Sequence, residues 1–281
     1  MTLGQRARTI AACVCMWAIA MAVRPDLNAQ ADTAAATSNQ TLPDPATATF
    51  FPGSVSLNSG LSSPLEDANV ITNLSVEQGV TLIHHGSNRL VPFVTMLASR
   101  DRRGFDWNNK ILLHSGTKFV RGFPSGVVQF GAGYAYESRF NSGSSQGRPI
   151  WFGNYWFGWQ LSTAGRFPGS SWATVGTPAP TEQKNVIAMS SIDQGVAILK
   201  VAHGAMIPFI EHLVALDTAG RPWNNRQLLG EGIKFRVPIG RGTIEAAAVY
   251  KQERRWIERR FRAGPTAVVN LWYGWDPSGG N

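Results

Sequence analysis

The stretch "VVQFGAGYAYESRF", Val127–Phe140, alternates strictly in character. Val128, Phe130, Ala132, Tyr134 and Tyr136 fall on one face; Gln129, Gly131, Gly133, Ala135 and Glu137 fall on the other. A period of two belongs to a β-strand, because successive side chains of an extended backbone point to opposite sides. Bulk gathers on one face and small or polar groups on the other. The preceding "GFPSG" (Gly122–Gly126) carries the Gly and Pro of a tight turn. The same arrangement returns as "TIEAAAVYKQERRW" (Thr243–Trp256) after "PIGRG" (Pro238–Gly242), now with Ile244, Ala246, Ala248 and Tyr250 on one face.

That recurrence extends along most of the chain. "GFDWNNKILLHSGTKF" (Gly104–Phe119) matches "GRPWNNRQLLGEGIKF" (Gly220–Phe235), 116 positions later. At the same offset "FPGS" at Phe51 meets "FPGS" at Phe167, and "NVI" at Asn69 meets "NVI" at Asn185. Gln78-Gly79-Val80, Pro92-Phe93, Asp101, Tyr134, Glu137, Arg139, Trp156, Gly158 and Trp159 also recur, without a gap. Roughly a third of the aligned pairs are identical, against about one in sixteen by chance, so the chain is a tandem duplication. The division places a first half-barrel unit at 51–166 and a second at 167–281.

Each copy reads as a meander of five long strands. In the first they fall near Asn69–Ile83, Leu90–Ser99, Lys110–Arg121, Val127–Phe140 and Ile150–Leu161. Short turns ("HHGSNR", "GFPSG") alternate with longer polar loops ("RDRRGFDWNN", "NSGSSQGRP"). Long strands joined by alternating short and long connections predict an all-β fold, an antiparallel transmembrane β-barrel. Five strands per copy would send the second copy through the membrane the other way. Either the halves are inverted, or "SVSLNSG" (Ser54–Gly60) and "SWATVG" (Ser171–Gly176) add a sixth strand to each. The expectation is ten to twelve strands; two separate soluble β-domains joined near Gly176–Lys184 are the alternative.

The string P-F-x(7)-D-x-x-G-x-x-W-N-N, the strand ending "YESR" or "YKQERR", and the terminal "WFGW" or "WYGW" carry a resemblance. They are similar to the C-terminal β-barrel regions of outer-membrane proteins of the bacteriophage N4 adsorption protein A type. The resemblance covers about Asn69–Leu161 and Asn185–Trp275, and it lacks the helical-repeat domain of that family. It implies an outer-membrane barrel that accompanies exopolysaccharide export or serves as a phage receptor.

The first residues combine Arg6 and Arg8, an apolar run from Thr9 to Val23, and "AQA" at Ala29–Ala31, the pattern of a secretory signal peptide over 1–31. A flexible leader rich in Ala, Thr, Asp and Pro follows over 32–50. Both cysteines, Cys13 and Cys15, sit in the signal segment, so neither a disulfide nor a thiol carries the exported chain. The formal charge is +8. For an exported protein that points to lipopolysaccharide and outer-membrane lipid, with an acidic polysaccharide as a further candidate partner, rather than to nucleic acid.

Polar residues kept in both copies mark any duplicated site: Glu66/Glu182, Asp101/Asp217, Asn108-Asn109/Asn224-Asn225, Lys118/Lys234, Glu137/Glu253 and Arg139/Arg255. Lys118, Glu137, Arg139 and their counterparts Lys234, Glu253 and Arg255 are the expected lumen charge network. Arg254, Arg255, Arg259, Arg260 and Arg262 form a cluster specific to the second copy, suited to phosphates of lipopolysaccharide or another polyanion. Trp107, Trp156, Trp159, Trp223, Trp272 and Trp275 are expected at the membrane interfaces. No histidine is repeated, and no nucleophile elbow, phosphate loop or zinc spacing occurs. The sequence therefore predicts a porin-like, receptor or export component without catalytic residue, metal or cofactor. The alternatives are a secreted glycan-binding protein or, last, a lipid-modifying barrel enzyme built on a Ser–His pair facing lipid.

Overall fold

A computed structural model describes residues 51–61, 63–66, 69–159, 166–177, 180, 185–201 and 204–275. The expected signal segment and leader lie outside these residues. The first copy contributes β1 (Gly53–Leu61), β2 (Val70–Gly79), β3 (Ile83–His85), β4 (Asn88–Asp101), β5 (Lys110–Phe123), β6 (Gly126–Arg139) and β7 (Ser145–Trp159). The second contributes β8 (Gly169–Gly176), β9 (Ile187–Gly195), β10 (Leu199–Val201), β11 (Gly204–Asp217), β12 (Arg226–Ile239), β13 (Gly242–Arg255) and β14 (Arg260–Trp275). All pairings are antiparallel, and β14 returns to pair with β1. Twelve strands close into one barrel; the short β3 and β10 are extensions paired to β4 and β11.

The two candidate extra strands are β1 and β8, so each half has six long strands and both halves run the same way. Inversion is not needed, and two separable domains do not form, because one continuous sheet runs through both copies. Every register in the first half recurs in the second: Gly53↔Gln78 becomes Gly169↔Gln194, and Lys118↔Gly131 becomes Lys234↔Ala247. The closing seam obeys the same rule, since Gly53↔Trp275 repeats the Gly169↔Trp159 pair between the halves. The barrel is thus two-fold pseudosymmetric about its axis.

Several repeated landmarks are parts of this geometry. Gly79 pairs with Phe93 and Ile83 with Leu90, so three residues (Val80–Leu82) oppose two (Val91, Pro92). This is a β-bulge, and a bulge is where a sheet tolerates proline. Val80 N–H donates to Pro92 O and Val196 N–H to Pro208 O, both at 3.0 Å. In "FPGS", a Cβ on Gly53 or Gly169 would fall on the indole of Trp275 or Trp159. Those indoles donate to Gln78 (3.1 Å) and Gln194 (3.0 Å), which in turn donate to the carbonyls of Phe51 and Phe167. The first and last strands are stitched by the same contact that joins the two halves. In "G-x-K-F", a Cβ on Gly116 or Gly232 would meet the backbone of the next strand at Ala132 or Ala248, which excludes any larger residue there.

The alternation of β5 and β6 now has a direction. Leu113, Phe119, Phe130, Tyr134 and Tyr136 are exposed on the outside, whereas Lys118, Ala135 and Glu137 are buried on the inside. Ile210, Leu229, Ile233, Phe235, Val269 and Tyr273 continue the outer apolar surface over the second half. Among the described residues few apolar side chains are buried, and four of them, Ala205, Ile207, Phe209 and Val249, form an inner cluster. The pattern is inverted relative to a water-soluble sheet: apolar outside, charged inside.

Candidate functional site: a charged lumen and a bridged mouth

The barrel encloses a cavity of about 700 Å³ lined by both halves. Lys118 on β5 bonds Glu77 on β2 at 2.5 Å and lies 5.2 Å from the ring centre of Phe93. Its counterpart Lys234 bonds Asp193 and lies 4.7 Å from the Phe209 ring. Each lysine is nine-tenths buried or more, and its charge is held by a carboxylate and an aromatic face, with Gln129 Oε1 a further acceptor for Lys118 at 3.4 Å. Beyond this shared pair the halves diverge. Arg236 bonds Glu245, and Lys251 bonds Glu211 at 3.0 Å. The first half has Val120, Gln129, Ala135 and Thr95 at those four places. His114, unmatched in the second half, packs edge-on between Phe93 and Phe152 at 4.7 and 5.5 Å.

Glu137 and Arg139 share a face and bond at 2.8 Å, as do Glu253 and Arg255. Neither pair reaches Lys118 or Lys234. They sit one level up, at the end of the barrel that carries the longer loops. There Lys110 approaches Glu137 at 3.6 Å and Arg226 approaches Glu253 at 3.5 Å. Ser63, from the β1–β2 connection, donates to Glu253. The expected single ladder is two levels, because residues 118 and 137 are far apart along their strands: Lys118 faces Gly131, and Leu112 faces Glu137.

Arg139 also reaches Asp106 at 3.4 Å, and Asp106 accepts from the Ser142 amide and hydroxyl, both at 3.0 Å. This clasps the β4–β5 loop to the β6–β7 loop. Desolvation acts to raise the Asp106 pKa, but the bonds from Ser142 and Arg139 outweigh it and hold the carboxyl below its ordinary 3.8. A lowered folded-state pKa makes the contribution full above the unfolded value and lost as pH falls through the folded one. The Ser142 amide resonance is therefore expected to titrate with a midpoint below 3.8; a midpoint at or above it would contradict the clasp.

The "WNN" units are loop hubs. The Asp101 carboxylate accepts from Asn108 Nδ2 (2.8 Å), Asn109 Nδ2 (3.0 Å), Asn69 Nδ2 (3.2 Å) and the Phe105 amide (3.0 Å). Asn69 Oδ1 in turn accepts from the Arg103 amide at 3.2 Å. Asp217 does the same with Asn224 (3.0 Å), Asn225 (2.7 Å), Asn185 (3.2 Å) and the Arg221 amide (3.0 Å). Gly104 and Gly220 take φ of +72° and +71°, the left-handed conformation that glycine enters freely. Each hub ends in one turn of 3-10 helix, Asp106–Asn108 or Pro222–Asn224, that carries the tryptophan at its centre.

Those two tryptophans meet. The Trp107 and Trp223 rings are 5.9 Å apart and within 8° of parallel. Phe105 stacks on Trp107 at 4.7 Å, and Arg221, which occupies the equivalent of Phe105, lies over Trp223 at 5.6 Å. β4 and β11 stand on opposite sides of the barrel, six strands apart in either direction around the ring. A twelve-strand barrel spans roughly 20–25 Å between opposed backbones. Contact between the tips therefore requires both loops to fold over the mouth. Phe105, Trp107, Trp223 and Arg221 form one stacked bar across it.

The six tryptophans expected at the membrane interfaces take three different places. Trp159 and Trp275 sit on the outer face at strand ends. Trp107 and Trp223 form the bar. Trp156 and Trp272 line the cavity; their direct strand partners Val127 and Ser56 are lumen positions. The arginine cluster is divided as well. Arg255 is buried and paired to Glu253, and Arg262 faces Glu253 across β13–β14. Arg254 and Arg260 are exposed, and Arg259 sits at the β13–β14 turn with φ +54°. Glu182 lies outside the described residues. Glu77 and Asp193, which hold the lumen lysines, escape a search for identical residues because one copy has Glu and the other Asp; matching by charge finds them.

No family model matches the chain, and no curated protein matches it. Solved structures of similar fold include the β domain of the Bordetella autotransporter BrkA, with 11% identity over 80% of this chain and 99% of that one at a TM-score of 0.37. The KdgM porin is 9% identical over 79% and 99%, with a TM-score of 0.36. The outer-membrane channel DcaP of Acinetobacter baumannii is 8% identical over 81% and 96%, with a TM-score of 0.36.

Proposed function

We propose that this chain is an outer-membrane barrel that admits small polar solutes to its lumen, a porin-like role. One observation carries the reading: a closed twelve-strand ring with an apolar exterior around a charged cavity of about 700 Å³. Closure pairs β1 with Val268–Trp275 of β14 and so removes the free sheet edges that a bilayer would not tolerate. The short turns then face the periplasm, and the longer loops, with the tryptophan bar and the exposed Arg254, Arg259 and Arg260, face outward. There the arginines are placed for lipopolysaccharide phosphates. Export of exopolysaccharide or reception of a phage, the roles implied by the resemblance, would use the same loop end. The mixed charges of the lumen favour passage of polar solutes, and no catalytic role is assigned.

The test is recovery and conductance. The full chain is expected in the detergent-extracted outer-membrane fraction, to migrate faster on gels unheated than boiled, and to conduct ions in planar bilayers. Recovery as a soluble protein without detergent would overturn the reading.

A further inference from the structure

Residue-by-residue comparison of the halves conceals a shared arginine. Arg89 on β4 faces Val120 on β5 as a direct cross-strand pair, and the equivalent pair is Ala205 on β11 and Arg236 on β12. Neither position matches its counterpart, yet each pair sets one guanidinium beside one aliphatic residue at the same height of the lumen. The arginine has changed strands while keeping its place, and both arginines line the cavity.

Arg236 is also incompletely satisfied. It is only 8% exposed, and its Nε donates to Glu245. Its Nη1 is buried with no hydrogen-bond partner among the described residues. A buried charged donor without an acceptor costs stability, so such a group is retained where something else supplies the acceptor. Glu245 takes the Nε side of the guanidinium, and the side chain that carries the unpartnered Nη1 lines the cavity. Around the cavity, Arg89, Lys118, Lys234 and Arg236 stand with Glu77, Asp193, Glu211 and Glu245, four positive groups and four negative.

The same cavity contains aromatic faces. Trp156, Trp172 and Trp272 line it, and Trp272 is 51% exposed although it points inward. Trp272 faces Thr243, and Asn270, two residues along, faces Glu245, the partner of Arg236. An indole face, amide and hydroxyl groups, and a guanidinium with an unpartnered Nη1 therefore lie on adjoining rows of one wall. Apolar walls with a few placed polar groups are the mark of a small-molecule site. A sugar ring offers C–H faces to an indole and hydroxyls to amides. A carboxylate is the group that fits the guanidinium fork.

We propose that the lumen binds an acidic sugar, with its carboxylate on Arg236 and its ring against Trp272, and with Arg89 supplying the corresponding charge from the opposite wall. This rests on the solute-admitting reading above and names its substrate class. The test is calorimetric titration of the detergent-solubilised full chain with glucuronate, glucose and acetate. Glucuronate is expected to bind at least about tenfold more tightly than either of the others, the equivalent of one charge-assisted hydrogen bond. Arg236→Gln and Trp272→Ala each remove that preference, and Arg236→Lys, which keeps the charge without the fork, weakens it. Heat-modifiable migration of each variant shows that its barrel is intact. Glucuronate binding no tighter than glucose, or unchanged in Arg236→Gln, overturns the proposal; acetate as tight as glucuronate reduces the site to a bare anion site and overturns it equally. A chain that binds glucuronate but conducts no ions contradicts the solute-admitting reading alone. One that conducts but shows no glucuronate preference contradicts this inference alone.

Discussion

Replacing Trp107 and Trp223 together with alanine is expected to raise single-channel conductance roughly twofold or more, by removing the narrowest obstruction at the mouth. The two loops start from opposite sides of the barrel, and their rings meet at 5.9 Å, so the bar lies across the mouth. Phe105 and Arg221 extend it at 4.7 and 5.6 Å. Stacked aromatic pairs contribute about 0.5–1.5 kcal/mol each and a cation over a ring about as much. The bar is thus held closed by a small free energy and is expected to open transiently in the unmodified protein, giving a flickering current. The single Trp107→Ala change should produce most of the effect, since either half of the stack is useless without the other and the two changes do not add. Trp107→Phe should preserve closure. Equal conductance in all four proteins would show that the bar does not limit passage.

The bar also shows where reading the sequence stops. Period two at Val127–Phe140 is a local property, and it reports the strand and its two faces correctly because nothing distant can alter which way alternate residues point. The duplication, too, is visible without coordinates, and with it the even strand number once Ser54–Gly60 and Ser171–Gly176 are counted. Trp156 and Trp159 carried a usable signal: a spacing of three on one strand sends them to opposite faces, so they cannot both be lipid-side anchors. The stacking of Trp107 on Trp223 left no such trace. It depends on the two-fold axis, which exists only after β14 closes on β1. The exchange of Arg89 for Arg236 is hidden for a related reason. The conserved unit is a cross-strand pair, and alignment compares single positions.

Asp101→Ala is the second large effect, and it separates the hub from the bar. The carboxylate of Asp101 accepts four hydrogen bonds, three from asparagine amides and one from the Phe105 backbone. Hydrogen bonds to a charged acceptor contribute about 1.5–3 kcal/mol each, and they share one geometry and do not sum, so a loss of roughly 3–5 kcal/mol of local stability is expected. Asn69 and Asn109, both buried, would each lose the acceptor of an amide N–H, which an alanine cannot replace, and Asn109 would keep only its bond to the Phe105 carbonyl. The strands beneath keep their registers, so the barrel should remain heat-modifiable while the β4–β5 loop opens locally. Limited trypsin digestion reads this directly, because Arg102 and Arg103 lie within the hub and become cleavable when it loosens. Cleavage there should be at least about tenfold faster than in the unmodified protein, since a loop whose opening costs 1.4 kcal/mol less is open ten times as often. Asp217→Ala should leave this site untouched and loosen its own loop instead, where the Arg221–Pro222 bond resists trypsin and digestion with a less selective protease reports the opening. Conductance would rise in either variant, because each tryptophan is presented by its own hub. Trp107→Ala, by contrast, should raise conductance without exposing Arg102 or Arg103. If Asp101→Ala leaves both cleavage and conductance unchanged, the carboxylate does not organise the loop, and the repeated Asp, Gly, Trp and Asn residues would need another explanation.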